Sequence, residues 1–555
     1  MKKFTKKALV FLLAMLMTLP TFIGCAPQVL EQTDETKTQL HVFSFTGGIG
    51  SKWIYAVKDR FEKDYADVCF EPGTNKKGVQ LVLDPAKKNE HLIMSSSKNH
   101  VLFTENADYP LMVNNGEIIE ISDIMNKPLN TIVKTDDTRT IAEKLYPETN
   151  DFYSFKNDAY YGLPHHAFFS VFSYNKKLFD DKKLYFAATP NGTELAGQFI
   201  TVGNMTKSCG PDGIMGNEDD GLPATYDEMF LLFDYMTKGG KAVTPLIWPG
   251  KSAHEHVNYL LNAVYLNLAG KEEARLNYTY DSGDDTITIV EKFNGDTPIY
   301  KDVKVTLDNY REVLKSSQAR YQAIEVLDKI LDNPSYRHAT CKDTTAQMLQ
   351  AQRDFILSNL EGNPVAILPE GSYWFNEAND AHYFEDAMNN YPNDYEDKND
   401  FRIMPLPRVY SGRASDVLNT NVGKNVIGDM PDSLACINST IKNNENLVNL
   451  AKTFLAYCYT DESLREFTEK ANITVPIDYE IDQSKLSAFA KDVVQYTKNA
   501  DFVVPYSSSS IYLSGKLDWS LNVSSNFWKG AYNGVNGTGD AKSVKTFFKS
   551  YAGIS

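Results

Sequence analysis

Beyond its N-terminal segment, the chain opens with short apolar blocks separated by glycine-rich or polar stretches. Residues 40–45 alternate and are rich in β-forming side chains, and the glycines of 46–50 interrupt them. Apolar side chains then recur with helical spacing over 51–64, and further strands are predicted at 79–83 and 100–104. Strands that alternate with helices at this spacing are typical of a parallel sheet covered by helices, so the sequence predicts an α/β fold.

The carboxyl ends of these predicted strands are the first candidate binding site, because ligands of parallel sheets bind beyond that edge. Phe45 ends the first strand, and Thr104, Glu105 and Asn106 end and follow the third. We expect these four residues to contact a ligand. The glycine loop at 47–50 lacks the spacing of both the dinucleotide fingerprint and the P-loop, which argues against a nucleotide.

The N-terminus has the pattern of a bacterial secretion signal. Lysines precede a nearly unbroken apolar run over 8–19, which is short for a membrane span. A small residue, Gly24, stands directly before Cys25, as in the lipobox, whose cysteine is diacylated and becomes the new N-terminus. We expect a signal peptide over 1–24, lipidation of Cys25 and a polar tether over 25–38. An ordinary secretion signal with a chance cysteine is the alternative.

Charge and cysteine usage narrow the choice of partners. A net charge of -16 over 555 residues, with acidic and basic residues interspersed, argues against a nucleic-acid partner. The sequence beyond the tether is long enough for two or more lobes with their own cores. With Cys25 set aside, the other cysteines form an odd, widely spaced set without a metal-ligand motif.

Residues 160–179 read as a turn, a long aromatic strand and a helix start, with the sequence YYGLPHHAFFSVFSYNKKLF. This passage resembles the extracellular solute-binding proteins of ABC importers, the family that includes maltose-binding protein. In that family a Tyr-Gly-Leu-Pro turn leads into a crossover strand that ends Tyr-Asn-Lys-x-Leu-Phe. Further landmarks follow in family order and cover most of the chain after the tether; they are 222–230, 244–248, 365–374, 404–407 and 435–462.

The resemblance implies a two-lobed, type II periplasmic-binding-protein-like fold, in which each lobe is a helix-flanked sheet and the lobes are hinged around a central cleft. Lobe I would comprise 39–163 and 412–475, and lobe II would comprise 164–411 and 476–555. Two segments, 180–221 and 268–308, are longer than the family core needs.

The resemblance also implies a function. The chain would be a monomer on the extracellular face of the cell membrane, held there by its lipid alone. It would capture a carbohydrate, most simply an oligosaccharide, and deliver it to the permease subunits of an ABC transporter, with no catalytic residue and no organic cofactor.

Aromatic side chains are the expected floor of such a cleft, because sugars stack their C–H faces on rings and need polar partners at their rims. Tyr373 and Trp374 end the strand that resembles the family's Gly-Ser-aromatic strand. Successive strand residues face opposite ways, so we expect one of the two to reach the cleft, and the resemblance favours Tyr373. His166 is a further candidate for the cleft lining.

The loop 210–221 is a candidate metal site, because it combines oxygen ligands with glycines, as hard cations require. It fails the EF-hand pattern, since a loop counted from Asn217 places Leu222 where glycine is needed. A solvated acidic turn is one interpretation. A structural calcium ion is the other, with the ligands Asp212, Asn217, Asp219 and Asp220.

Other function classes leave fewer traces in the sequence. The chain contains neither a Gly-x-Ser-x-Gly elbow nor a His-Glu-x-x-His helix, which argues against common hydrolases. A secreted glycosidase remains an alternative, and it would shorten a polysaccharide on incubation. A peptide- or polyamine-binding protein on the same fold is another, and its cleft should be acidic rather than aromatic. The last alternative function is that of a surface adhesin.

Overall fold

The computed structural model describes residues 33–86, 91–105, 108–155, 158–201, 203–411, 424–428, 433–503 and 543–554. The predicted signal peptide and Cys25 lie outside these residues, as does Asn106. Within the described ranges, no helix has both the length and the apolarity needed to cross a bilayer.

The strands are, in chain order, β1 (Thr38–Phe45), β2 (Val79–Ala86), β3 (Val101–Thr104), β4 (Ser154–Phe155), β5 (Ala159–Tyr160), β6 (Gly162–Pro164), β7 (Ser170–Asn175), β8 (Phe186–Ala188), β9 (Glu194–Phe199), β10 (Thr206–Lys207), β11 (Thr244–Leu246), β12 (Ile287–Asn294), β13 (Thr297–Val303), β14 (Val365–Gly371), β15 (Phe401–Met404), β16 (Val426–Gly428), β17 (Leu434–Ile437) and β18 (Asp501–Val503).

The α-helices are α1 (Lys52–Asp64), α2 (Tyr109–Asn114), α3 (Ser122–Met125), α4 (Ile141–Lys144), α5 (Pro147–Tyr153), α6 (Lys176–Lys182), α7 (Tyr226–Lys238), α8 (Ala253–Thr279), α9 (Tyr310–Lys315), α10 (Gln318–Asp332), α11 (Met348–Ser358), α12 (Trp374–Asp380), α13 (Tyr383–Asn390), α14 (Tyr395–Lys398), α15 (Glu445–Cys458), α16 (Asp461–Ala471), α17 (Ala488–Asn499) and α18 (Val544–Ala552).

Lobe I is built on a five-stranded sheet in the order β2-β1-β3-β17-β6. The predicted strands at its start are present, and β1 runs parallel to both β2 and β3. Strand β17 returns late in the chain and pairs antiparallel with β3 and β6. Its apolar side chains share one core with those of β1, α1 and α15. The late segment is therefore part of the first lobe's core.

Lobe II is built on a four-stranded sheet in the order β11-β14-β7-β15. Strand β14 is buried along its whole length between parallel β11 and antiparallel β7. Two apolar clusters cover this sheet, one with α7, α8 and α10 and the other with α11, α12 and α17. Each lobe thus has its own sheet and its own core. The residue numbers at which the chain passes from one lobe to the other remain a prediction.

A side-chain cap begins one of the two helices that follow a serine or threonine at the expected position, and the other helix begins without one. Thr225 caps α7, because its hydroxyl accepts the backbone N–H of Glu228 at 3.1 Å. The Glu228 carboxylate accepts the backbone N–H of Ala224 at 2.7 Å and so holds the residue before the cap. Ser51 precedes α1, but its side chain makes no capping hydrogen bond.

The two long segments have structure of their own. In 180–221, strand β8 lies between β9 and β10 in a small sheet. The segment 268–308 contains the end of α8 and the antiparallel hairpin of β12 and β13. Both additions belong to lobe II.

Candidate functional site

The two lobes meet where the glycine loop after β1 lies against the start of α12. Gly48 has a positive φ of 69°, and a Cβ atom there would lie 2.7 Å from Cγ of Tyr373. The side-chain amide of Asn376 donates a hydrogen bond to the carbonyl oxygen of Gly48 at 3.1 Å. A side chain at position 48 would therefore separate the two lobes at this point.

An aromatic cluster of Phe168, Tyr259 and Tyr373 lies at this junction. The rings of Phe168 and Tyr373 are stacked, with centroids 5.0 Å apart and planes inclined by 21°. The Tyr259 ring meets Phe168 edge-on at 6.1 Å, and Tyr259 remains 44% exposed. Three rings from three separate parts of lobe II thus form a partly exposed apolar surface, and Tyr373 is the ring that contacts lobe I.

A buried histidine, His166, and a glutamate of lobe I, Glu105, lie side by side at the junction. Nε2 of His166 lies 3.7 Å from a carboxylate oxygen of Glu105. The Ser433 hydroxyl fixes the His166 backbone, since it accepts the His166 N–H and donates to the His166 carbonyl oxygen. Glu105 is partly exposed, so its carboxylate can accept hydrogen bonds from a ligand.

A second histidine–glutamate pair lies beneath the aromatic cluster. Nε2 of His256 is 3.1 Å from an oxygen of Glu370, and both side chains are almost completely buried. Burial lowers the pKa of His256, but the neighbouring Glu370 carboxylate outweighs it, so the pKa lies above its ordinary value of 6.5. The pair links α8, which carries Tyr259, to β14, which precedes Tyr373.

This pair should make stability depend on pH in a defined direction. Because the folded-state pKa of His256 is raised, its contribution is complete below pH 6.5 and is lost as pH rises through the folded-state value. We expect Glu370→Gln, which can still accept the Gly371 N–H, to remove that contribution. Urea denaturation of the wild type and of Glu370→Gln between pH 6 and 9 measures the difference in their free energies of unfolding. If the wild type is the more stable by the same amount at every pH, the assignment is contradicted.

The structure brings three of the predicted ligand residues together, namely Glu105, His166 and Tyr373. The Glu105 carboxylate is close enough to Tyr373 to contribute to the raised pKa of that hydroxyl. Phe168, Tyr259 and the pair of His256 and Glu370 were not predicted. As ligand contacts, Glu105, His166 and Tyr373 remain predictions.

Trp374 is a wrong prediction. Its side chain is fully buried in the core of lobe II, where its indole N–H donates to the Ser173 hydroxyl at 2.7 Å. The structure corrects Thr104 in the same way, because Thr104 is fully buried at the end of β3. Phe45 lies in the lobe I core and its ring occupies the space beside Gly47, so it supports the glycine loop from below.

The acidic loop 210–221 is held by its own hydrogen bonds. Asp212 accepts from Asn217 at 2.6 Å, Asp219 accepts the Asp212 N–H at 3.2 Å, and Asp220 accepts the Gly216 N–H at 2.8 Å. Burial, and then the nearby Asp212 carboxylate, raise the pKa of Asp219 to about 7. The described residues contain no group of three His, Cys, Asp or Glu side chains placed to hold a metal. The calcium ion stays a prediction.

Comparisons with known proteins identify the fold. No family model matches the chain, and no curated protein matches it either. Among solved structures, a chitin oligosaccharide binding protein aligns with a TM-score of 0.53 and 15% identity, over 93% of this chain and 98% of the other. A second solved structure is the solute-binding protein RafE in complex with raffinose, and RafE is described from Streptococcus pneumoniae. It aligns with a TM-score of 0.51 and 12% identity, over 93% of this chain and 99% of the other.

A further structure comes from work on xylan utilization by the thermophilic bacterium Caldanaerobius polysaccharolyticus. It aligns with a TM-score of 0.50 and 14% identity, over 93% of this chain and 99% of the other. At these identities the comparisons establish the architecture. They confirm the predicted two-lobed α/β fold of solute-binding proteins.

Proposed function

We propose that this chain is an extracellular solute-binding lipoprotein that captures a carbohydrate, most simply an oligosaccharide, and delivers it to the permease subunits of an ABC transporter. The observation that carries the proposal is the partly exposed aromatic cluster of Phe168, Tyr259 and Tyr373 at the junction of two lobes. The solved structures of the same fold include one named for chitin oligosaccharide and one with raffinose, which supports a sugar as the ligand.

The chemistry of the site suits a sugar better than a peptide or a polyamine. Aromatic rings stack on the C–H faces of pyranose units, and the Glu105 carboxylate can accept hydrogen bonds from hydroxyl groups. A cleft for a polyamine would need carboxylates rather than rings as its main contact surface. The stacked rings of Phe168 and Tyr373 therefore favour the sugar.

Capture requires the lobes to move apart. The Tyr373 side chain packs against the core of lobe I in the described arrangement. The hydrogen bond from Asn376 to Gly48 and the ion pair between Lys271 and Glu148 connect the lobes on both sides of the junction. We infer that the described arrangement is a closed one, and that a rigid-body opening admits the ligand.

A ligand panel tests the proposed function. Any solute that binds only the folded protein raises its melting temperature, by the equivalent of about 2.7 kcal/mol at a hundred times Kd. We expect oligosaccharides to do so, and spermidine and short peptides to have no effect. Stabilisation by spermidine or peptides alone would favour the alternative ligands. Shortening of a polysaccharide during incubation would indicate a glycosidase.

The proposed membrane anchor has its own test. Cys25→Ala should release the protein from the membrane fraction or leave it unprocessed, because the thiol that carries the lipid is gone. Cys69→Ala is the matched control, since Cys69 is an exposed free cysteine of the folded part. Fractionation and mass measurement give the result. A Cys25→Ala protein that is still processed and membrane-bound would exclude lipidation at this residue.

A further inference from the structure

The start of α8 is held to the lobe II sheet by the side chain of His256. Ser252 precedes the helix, but its hydroxyl makes no capping hydrogen bond. Nδ1 of His256 lies 3.1 Å from the Ser252 carbonyl oxygen, and Nε2 of the same ring lies 3.1 Å from an oxygen of Glu370. The imidazole therefore ties the first turn of α8 to β14.

The two hydrogen bonds of this ring require a proton that a neutral histidine and an ionised carboxylate do not supply. A carbonyl oxygen only accepts, so Nδ1 carries a hydrogen and donates it to Ser252. At Nε2, either the ring carries a second hydrogen and donates it to Glu370, or the protonated carboxyl group donates to the ring. The pair holds one shared proton in both forms. Once that proton is lost, two acceptors face each other.

Tyr259 lies on the part of α8 that this attachment holds. Its ring centroid is 6.2 Å from that of His256, one turn earlier, and the side chain is 44% exposed. Its ring meets Phe168 edge-on, and Phe168 stacks on Tyr373. Ordering a mobile side chain costs free energy when a ligand binds. A firmly held helix start therefore lowers the cost of presenting this ring.

The charged and titratable groups that the described residues bring near the pair come from two elements. On α8 they are Tyr259 and the exposed Glu255. Tyr373 follows β14, where burial and then the Glu370 carboxylate raise the pKa of its hydroxyl well above its ordinary value, so it keeps its proton up to pH 9. The side chains that β7 brings to the same place are uncharged; they are Ser170, Val171 and Phe172.

We propose that His256 and Glu370 are positioning residues for Tyr259, and that saccharide binding weakens when their shared proton is lost. This inference rests on the proposed function and adds a control by pH to the same cleft. Burial lowers the pKa of His256, but the Glu370 carboxylate outweighs it, so the folded-state pKa lies above 6.5. The contact is therefore complete below pH 6.5 and is lost as the pH rises through the folded-state value.

Calorimetry at pH 6 to 9 with the wild type and Glu370→Gln tests the inference. The probe is an uncharged oligosaccharide that stabilises the wild type, so the probe itself does not titrate. We expect the wild-type Kd to rise by at least about threefold over this range, because the binding-competent arrangement becomes only partly populated. Any contribution of His166 and Glu105 to the pH profile is common to both proteins.

Glu370→Gln should lose this pH dependence. Its amide oxygen can accept the Gly371 N–H, as Glu370 does, and its amide N–H can donate to Nε2 of a neutral His256. The same hydrogen bonds then persist at every pH in the range. The matched control is Glu385→Gln, at the exposed pair of His382 and Glu385, and it should keep the wild-type affinity and pH profile.

A double-mutant cycle connects the pair to Tyr259. His256→Leu should raise Kd at pH 6 by at least about threefold, and the same change should cost clearly less when Tyr259→Ala is already present. Thermal melting shows whether each variant is folded, and the Glu370→Gln profile decides if His256→Leu is not.

Three results would overturn the inference while leaving saccharide capture intact. They are a wild-type Kd that stays constant from pH 6 to 9, an equal pH dependence in Glu370→Gln, and an equal cost of His256→Leu with and without Tyr259. Failure of every uncharged oligosaccharide to bind would overturn the proposed function, and this inference with it.

Discussion

Replacing Trp374 with alanine should lower the free energy of unfolding by about 3–5 kcal/mol, the range for removing a large aromatic side chain from a core. The indole is fully buried and fills the centre of an aromatic core, so its loss leaves a cavity that the neighbours cannot close without moving. Its ring neighbours are Phe355, Phe375, Phe384, Phe401 and Phe489.

Trp374→Phe is the matched control, because it keeps most of the ring volume and loses the hydrogen bond to Ser173. We expect it to destabilise the protein clearly less than Trp374→Ala in urea denaturation. Any saccharide that binds the folded protein should bind Trp374→Phe with nearly wild-type affinity. A stable Trp374→Ala protein that no longer binds the sugar would mean that this side chain contacts the ligand after all.

Replacing Lys144 with methionine should also cost about 3–5 kcal/mol, the range for removing one partner of a buried ion pair. The Lys144 side chain is fully buried, and its ammonium group binds Asp137, Asp461 and the carbonyl oxygen of Tyr459. These contacts join α4 to the late segment of lobe I. Without the lysine, Asp137 would keep its buried carboxylate without its ammonium partner.

The sign of the pH dependence identifies this mechanism. Burial raises the pKa of Asp137, but the hydrogen bond and charge of Lys144 outweigh it and leave the pKa below its usual value. The stabilisation is therefore present above pH 3.8 and is lost as pH falls through the lower folded-state pKa. The difference between wild type and Lys144→Met should shrink on acidification. Lys442→Met, at an exposed lysine, should change stability by less than about 0.5 kcal/mol.

The early part of the fold could be predicted because its signals are local. The segments 40–45, 79–83 and 100–104 are short and rich in β-forming apolar residues, and all three contain strands of lobe I. The preference for Tyr373 over Trp374 came from the resemblance, and the strand alternation invoked beside it does not apply, because β14 ends at Gly371 and Trp374 begins α12. Tyr373 faces the glycine loop, and Trp374 enters the core.

The aromatic cluster could not be predicted because its rings come from distant parts of the chain. Phe168 and Phe169 look alike in the sequence, yet Phe168 stacks on Tyr373 whereas Phe169 is buried against Tyr496. Tyr259 joins them from α8, a helix with no strong boundary signal in the sequence. The contacts that select these rings are tertiary, so no local pattern specifies them.

The error at Thr104 has a related cause. The carboxyl end of a parallel strand marks the correct edge of the sheet, but β17 pairs antiparallel with β3 and places Leu434 opposite Thr104. That pairing buries the threonine. Glu105, one residue further on, leaves the ladder and remains partly exposed.

Calorimetry with Tyr373→Ala and Tyr373→Phe tests the central claim most directly, using an oligosaccharide that stabilises the wild-type protein. The account predicts that Tyr373→Ala weakens binding by at least about 1 kcal/mol, the scale of a stacked ring, while Tyr373→Phe keeps most of the affinity. Because Tyr373 lies at the lobe junction rather than in the core centre, both variants should stay folded. A folded Tyr373→Ala protein that binds the saccharide as tightly as wild type would contradict the account.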